Sequence, residues 1–323
     1  MKRRDFCGAL AASAMTTVVK PAWSQAYPSK TLQLIVPQTP GGTNDAVGRI
    51  LAQKLTERMG QSVVVDNKPG AGGNIGTVYA AQQPHDGHTL LLTISSAQAI
   101  NPWLYKRTGF DPIADFSPVA PVGVVPNVLV VHPSFPANNM REFIERAKSA
   151  KPPYQYASAG NGSLNHLLGA MLNQAAQLQL GHVPYRGVAP ALNDVLGGQI
   201  PMAFASLPSC IQHIKAGKLR ALGVSSPKRS PFAPDIPAIA EALPGFSGEL
   251  WVGVFVGSST PEPIVRRLAQ DIEWAVSAPD VLDKFATLGV EKLSGGPEAL
   301  AGMLRTDLAK WKSIVAASGA SVD

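Results

Sequence analysis

The sequence predicts an α/β chain folded as two lobes, each a mainly parallel sheet flanked by helices. Three observations predict it. Apolar strand-like runs alternate with runs whose apolar residues recur at helical spacing. The alternation breaks at a proline-rich stretch, 112–126, restarts, and ends before a second one at 231–244. Two apolar runs, 128–131 and 250–256, stand where the chain would pass into a second unit and return. The first lobe is then 27–126 plus 250–323 and the second 127–249, close to the roughly 150 residues of an average domain.

Residues 1–26 fall outside this scheme. Lys2-Arg3-Arg4-Asp5-Phe6 is a basic start, 8–19 is small and apolar, and Ser24-Gln25-Ala26 places small residues where a signal peptidase reads. This is an export signal, with the twin-arginine and general secretory routes both open. Its apolar run is too short to span a bilayer, and no other stretch is long enough. The product is expected in the periplasm as a monomer. The signal carries Lys2, Arg3, Arg4 and Lys20 against Asp5, so its removal halves the formal charge of +6. With no basic block left, nucleic acid is not an expected partner. Cys7 leaves with the signal, and Cys210 alone forms no internal disulfide.

The first lobe opens on a strand at 32–36, an amphipathic helix over 46–59 and a β-branched strand at 62–66. A glycine-rich loop, Asn67-Lys68-Pro69-Gly70-Ala71-Gly72-Gly73-Asn74, leads into a short helix from Ile75, and 89–94 is the third strand. The stretch 112–126 reads as irregular because of its prolines. In the second lobe 140–149 is a helix, 154–158 a strand and 164–172 a helix. Strands at 182–185, 202–206 and 219–225 follow, with helices at 190–196 and 211–216. After the strand at 250–256 come three helices, 261–276, 281–288 and 297–316, with no strand signal between them. They are expected to pack on the first sheet.

Two strand-to-helix corners carry the functional expectation. The first is Pro40-Gly41-Gly42-Thr43-Asn44-Asp45, the second Ala159-Gly160-Asn161-Gly162-Ser163. At each, the first helical N–H groups lack intrahelical partners and bear partial positive charge, and glycine admits close approach. A carboxylate fits such a corner without a lysine or arginine. Either corner alone is better read as an ordinary helix cap, and it is the pair, repeated at the same topological point, that brings the functional reading level with it. The ligand-binding candidates are Gly41, Gly42, Thr43, Asn44, Ala159, Gly160, Asn161, Gly162, Ser163 and His166. Ser95 and Ser96, at the end of the third strand, join them, as does Phe204. Trp251, Phe204 and Tyr185 are read as cleft walls or as core. Asp45 would repel an anion, so it is expected to point away or to take hydrogen bonds from the loop.

Other patterns are weaker. His85-Asp86-Gly87-His88 is better explained by its Asp-Gly turn than by metal binding. Gly-x-Ser-x-Gly and the phosphate loop are absent, as is the spacing of a dinucleotide fingerprint. No catalytic residue, metal or cofactor is assigned.

The sequence also resembles a known family. The matching stretches are Tyr27-Pro28-Ser29-Lys30 with Leu34-Ile35-Val36-Pro37, the first corner, 65–76, and Asp86-Gly87-His88-Thr89-Leu90-Leu91. The second half adds Tyr156 to Ser163, Val183-Pro184-Tyr185-Arg186-Gly187 and Leu196-Gly197-Gly198-Gln199. They resemble, in order, the Bug family, extracytoplasmic solute receptors of tripartite tricarboxylate transporters. The resemblance implies a periplasmic two-lobed Venus flytrap without enzymatic activity. It implies that both corners grip a ligand carboxylate, partly through ordered water, and that the partners are membrane subunits of a transporter. Thr39 and Val188-Ala189 depart from the family's usual proline and glycine, so no relative's ligand transfers directly. A mono- or dicarboxylate is expected, an aromatic one included. Two alternatives stay open: an orphan receptor signalling to a sensor kinase, and an exported hydrolase using Ser163 and His166.

Overall fold

The computed structural model describes residues 27–322, so the expected export signal lies outside the described residues. β1 (Leu32–Val36), β2 (Val63–Asn67) and β3 (Thr89–Ile94) lie parallel in the order β2-β1-β3, joined through α1 (Thr43–Met59) and α2 (Asn74–Ala81). A π-helical segment, Ser96–Ile100, and one turn of α3 (Asn101–Leu104) follow β3. β4 (Phe116–Val125), β10 (Leu250–Gly257) and β11 (Glu291–Lys292) complete a six-stranded sheet, β11-β4-β10-β3-β1-β2. The second sheet, β7-β6-β8-β5-β9, is formed by β5 (Asn127–Val131), β6 (Gln155–Ser158), β7 (Gly181–Pro184), β8 (Met202–Ser206) and β9 (Arg220–Val224).

Both sheets are mixed where the sequence predicts mainly parallel ones. β6 is parallel to β7 and β8, but β5 is antiparallel to β8 and β9, and β10 to β3 and β4. β5 and β10 carry the chain between sheets. They are not joined to their neighbours by right-handed strand-helix-strand crossovers, which are what impose parallel pairing.

A second correction concerns 112–126, expected to be irregular. Most of it is β4, a ten-residue strand between β10 and β11. Proline lacks the N–H that a ladder needs. Here Pro118 and Pro121 sit opposite Phe255 and Gly253, next to register shifts in the β10 pairing. Those bulges absorb the missing donors and keep the strand. β11 is also unforeseen: two residues pairing with Val124 and Gly123 between two C-terminal helices.

The remaining helices are α4 (Met140–Ser149), α5 (Leu164–Ala176), α6 (Val188–Leu196), α7 (Leu207–Lys215), α8 (Glu262–Val276), α9 (Pro279–Leu288) and α10 (Pro297–Ser318). Strand alternation decides which core each side chain enters. Leu34, Val36, Leu90 and Leu92 face α1 and α8, and Val128, Val130 and Ala203 face the layer of α6 and α7. The intervening residues, Ile35, Leu91, Leu129 and Phe204, belong to one cluster that also takes in Leu167, Leu168 and Trp311. α8 and α10 pack on β4 as expected, but α10 also reaches α5 behind the second sheet. The two sheets therefore share a continuous apolar layer.

Candidate ligand site

The first corner follows β1. Gly41 turns the chain with φ +85°, and Gly42 caps α1 in extended conformation. Asp45 is 3% exposed. Its Oδ2 accepts the Gly41 N–H at 2.9 Å and Arg49 Nε at 3.0 Å, and its Oδ1 accepts Asn67 Nδ2 at 3.0 Å. Burial pushes its carboxyl pKa up, but the hydrogen bonds from Arg49, Gly41 and Asn67 outweigh burial and leave it lowered. The carboxylate is thus turned into the loop, as the sequence analysis requires. The same bond uses up the Gly41 N–H. The amides of Thr43 and Asn44 take no acceptor among the described residues. Thr43 is exposed, whereas the Asn44 side chain is buried. Asn44 Nδ2 donates to Leu92 O at 3.3 Å and to Gln38 Oε1, so it ties the loop to β3 rather than facing outward.

The second corner ties its glycine amides back to flanking side chains. Gly160 N–H goes to Ser158 Oγ at 3.1 Å, Gly162 N–H to His166 Nδ1 at 3.1 Å, and Ser163 N–H to Gly160 O at 3.2 Å. Ser163 caps α5 by accepting His166 N–H at 3.3 Å while its hydroxyl donates to Gly160 O at 2.7 Å. Asn161 is exposed and Ala159 half-buried. Both corners thus open a helix whose first amides, Thr43 and Asn44 in one and Leu164 and Asn165 in the other, take no acceptor among the described residues, which is the shared local logic read from sequence. They differ in the turn itself: the first folds around the Asp45 carboxylate, and the second ties its glycines to Ser158 and His166 and leaves Asn161 exposed. A hydrolase pair is not made: the Ser163 hydroxyl and the His166 ring each have another partner.

The structure links the two corners through a segment with no role assigned from sequence. Leu104, at the end of α3, lies against Gly162; a Cβ there would sit 2.2 Å from Leu104 Cδ2. Asn101 on the same turn donates to Gly72 O at 3.1 Å and to Asn74 Oδ1 at 2.7 Å. Gly73, with φ +101°, would place a Cβ 3.2 Å from Gln38 Nε2. Contact thus runs from the first corner through the glycine-rich loop and α3 to the second. The run of glycines at 70–73 was the available signal, since their positive φ values permit this close approach.

Three candidates are placed elsewhere. Ser95 is fully buried, with its hydroxyl bound to Glu249 O at 3.1 Å on the segment returning from the second sheet. Phe204 is 1% exposed inside the shared apolar layer and is not a cleft wall. Trp251 is likewise core, its Nε1 donating to Asp307 Oδ2 at 2.8 Å. Tyr185 is half-buried; its OH donates to Asp194 at 2.6 Å, and burial and that carboxylate raise its pKa to about 12. Ser96 is half-buried at the start of the π-helical segment, a feature enriched at functional sites. His88 is held by Asp86 in the turn at 85–88.

A profile described as tripartite tricarboxylate transporter family receptor matches residues 47–320. The UPF0065 protein in the tcbD-tcbE intergenic region of Pseudomonas sp. strain P51 is 38% identical over 315 residues, covering 97% of this chain and 94% of its own. Among solved structures, the periplasmic binding protein BugD is similar with a TM-score of 0.72 and 34% identity, over 92% of this chain and all of its own. An R. palustris protein solved with adipate has a TM-score of 0.75 and 31% identity over the same shares.

Proposed function

This chain belongs to the tripartite tricarboxylate transporter receptor family, and we propose that it captures a small carboxylate between two lobes, 27–126 with 250–323 and 127–249. It acts in the periplasm as a solute-binding receptor rather than as an enzyme, and it presents the closed form to membrane subunits of a transporter. The observation that carries this reading is the first corner. The N-terminus of a 17-residue helix leaves the Thr43 and Asn44 amides open, while the Asp45 carboxylate in its first turn is directed inward and met by Arg49. Gly42, Thr43 and the Asn44 amide grip one carboxylate, with Ser96 beside them. Asn161 closes on it from the second corner, with Gly160, Gly162 and Ser163 fixing its place. Closure follows because ligand binds the closed form better than the open one. The solved R. palustris relative with adipate supports a dicarboxylate. The case for an aromatic ligand weakens with Phe204 and Trp251 in the core.

A thermal-shift panel of mono-, di- and tricarboxylates on the chain from Tyr27 onward tests this. Ligand at 100 times its Kd stabilises by about 2.7 kcal/mol, which raises Tm by several degrees in a protein of this size. A panel in which no carboxylate moves Tm overturns the reading.

A further inference from the structure

Beneath the second corner two imidazole rings lie flat on each other, centroids 3.7 Å apart and planes 10° apart. They come from different elements. His166 is in the first turn of α5, and His182 is on β7. Each holds one glycine of the corner. His166 Nδ1 accepts the Gly162 N–H at 3.1 Å. His182 Nε2 lies 2.6 Å from Ser158 Oγ, and that oxygen accepts the Gly160 N–H at 3.1 Å. Gly160 and Gly162 have φ of +128° and +71°, so the direction of these two amides sets the shape of the turn.

We propose that His182 and His166 are positioning residues for the ligand, holding the second corner in its binding shape only while both rings are neutral, so that acidification releases the ligand. This rests on the carboxylate-receptor reading above. An Nδ1 that accepts from Gly162 has its proton on Nε2. A second proton must go onto Nδ1, where it would point at the Gly162 N–H. That bond then breaks and the amide turns away. Gly162 touches Leu104, so the movement reaches the contact between the two halves of the molecule. Two charged rings at this spacing repel strongly. The groups facing the pair offer no compensation. From β6 come Ser158 and Tyr156, whose ring is 5.2 Å from His182 and whose OH donates to His166 O at 2.9 Å. No carboxylate among the described residues bonds either ring. Burial lowers the pKa of His166; burial and then the charge of His166 lower that of His182 to about 4.

The test is adipate affinity, by calorimetry, from about pH 7.5 down to about pH 4, so that the range runs below the ordinary histidine value and reaches the lowered one of His182. It is run on wild type, His166→Gln, His182→Gln and the double variant. Glutamine keeps a hydrogen-bonding group and cannot titrate, so the double variant reports adipate's own protonation. Wild type is expected to lose roughly tenfold more affinity than the double variant over this range, and each single variant an intermediate amount. Ser158→Ala removes the oxygen that joins His182 to Gly160, so it is expected to weaken adipate several-fold and to give the reduced pH dependence of His182→Gln. In ligand-free wild type, the Gly160 and Gly162 amide resonances are expected to move together as the pH falls. Identical pH profiles for wild type and the double variant overturn the proposal, as do glycine resonances that stay fixed. If no carboxylate binds at all, the function above fails, and the glycine resonances still decide whether the rings hold the corner.

Discussion

Gly162→Ala is expected to abolish ligand binding and to destabilise the fold. Two separate penalties meet at this position. The backbone has φ +71°, a region where a non-glycine residue costs of order 1–3 kcal/mol. The new methyl would also lie 2.2 Å from Leu104 Cδ2, and Leu104 is only 6% exposed, so it has little room to withdraw. Overpacking of that kind costs typically about 1–3 kcal/mol. Urea denaturation separates the two when Gly162→Ala is also made in a Leu104→Ala background, because there, measured against Leu104→Ala alone, only the backbone strain remains. Binding should stay lost in the double variant, since the Gly162 amide still cannot point at His166. A Gly162→Ala protein as stable as wild type, with ligand affinity intact, would show that α3 does not press on the second corner.

Asp45→Asn should cost about 2–3 kcal/mol and weaken the ligand at least tenfold. Hydrogen bonds to a charged group contribute about 1.5–3 kcal/mol each. The share from Arg49 is discounted, because that side chain is more than half exposed. An asparagine can accept from Gly41 or from Asn67 but brings an NH2 where the carboxylate takes two donors, so the loop before α1 loosens. The pH dependence has a definite sign. The folded pKa of Asp45 is lowered, so its stabilisation is complete above the unfolded value of about 3.9 and disappears as pH falls through the folded one. The gap in stability between wild type and Asp45→Asn should therefore be constant near neutrality and close only in strong acid. A gap that closes already near pH 6 would assign the carboxylate the wrong environment.

Much of this molecule is legible in its sequence, and what is not has physical causes. The short continuous apolar runs of β1, β3 and β8, buried on both faces, and the one-sided periodicity of α4 mark these elements closely. Such patterns miss β4 because Pro118 and Pro121 argue against a strand, and only the bulged pairing with β10 reconciles them. Strand direction is hidden as well, since an apolar run looks the same whichever way it enters a sheet. At the site, the turn residues reveal both corners and the inward role of Asp45. They do not reveal which amides are taken up, because the acceptors of Gly160 and Gly162, Ser158 Oγ and His166 Nδ1, belong to side chains whose direction only the fold decides. Phe204 shows the opposite error: an aromatic near the crossing is as good a wall as a core residue until its neighbours are known. Leu104 and His182 carry no local signal, and they matter through contacts made across long stretches of chain.

The apolar layer common to both sheets has a thermodynamic consequence. Side chains as far apart in the chain as Ile35, Leu168, Phe204 and Trp311 are buried against one another, so neither half can melt while the other keeps its interior dry. Scanning calorimetry should therefore record one endotherm whose van't Hoff and calorimetric enthalpies agree, despite the two-part architecture.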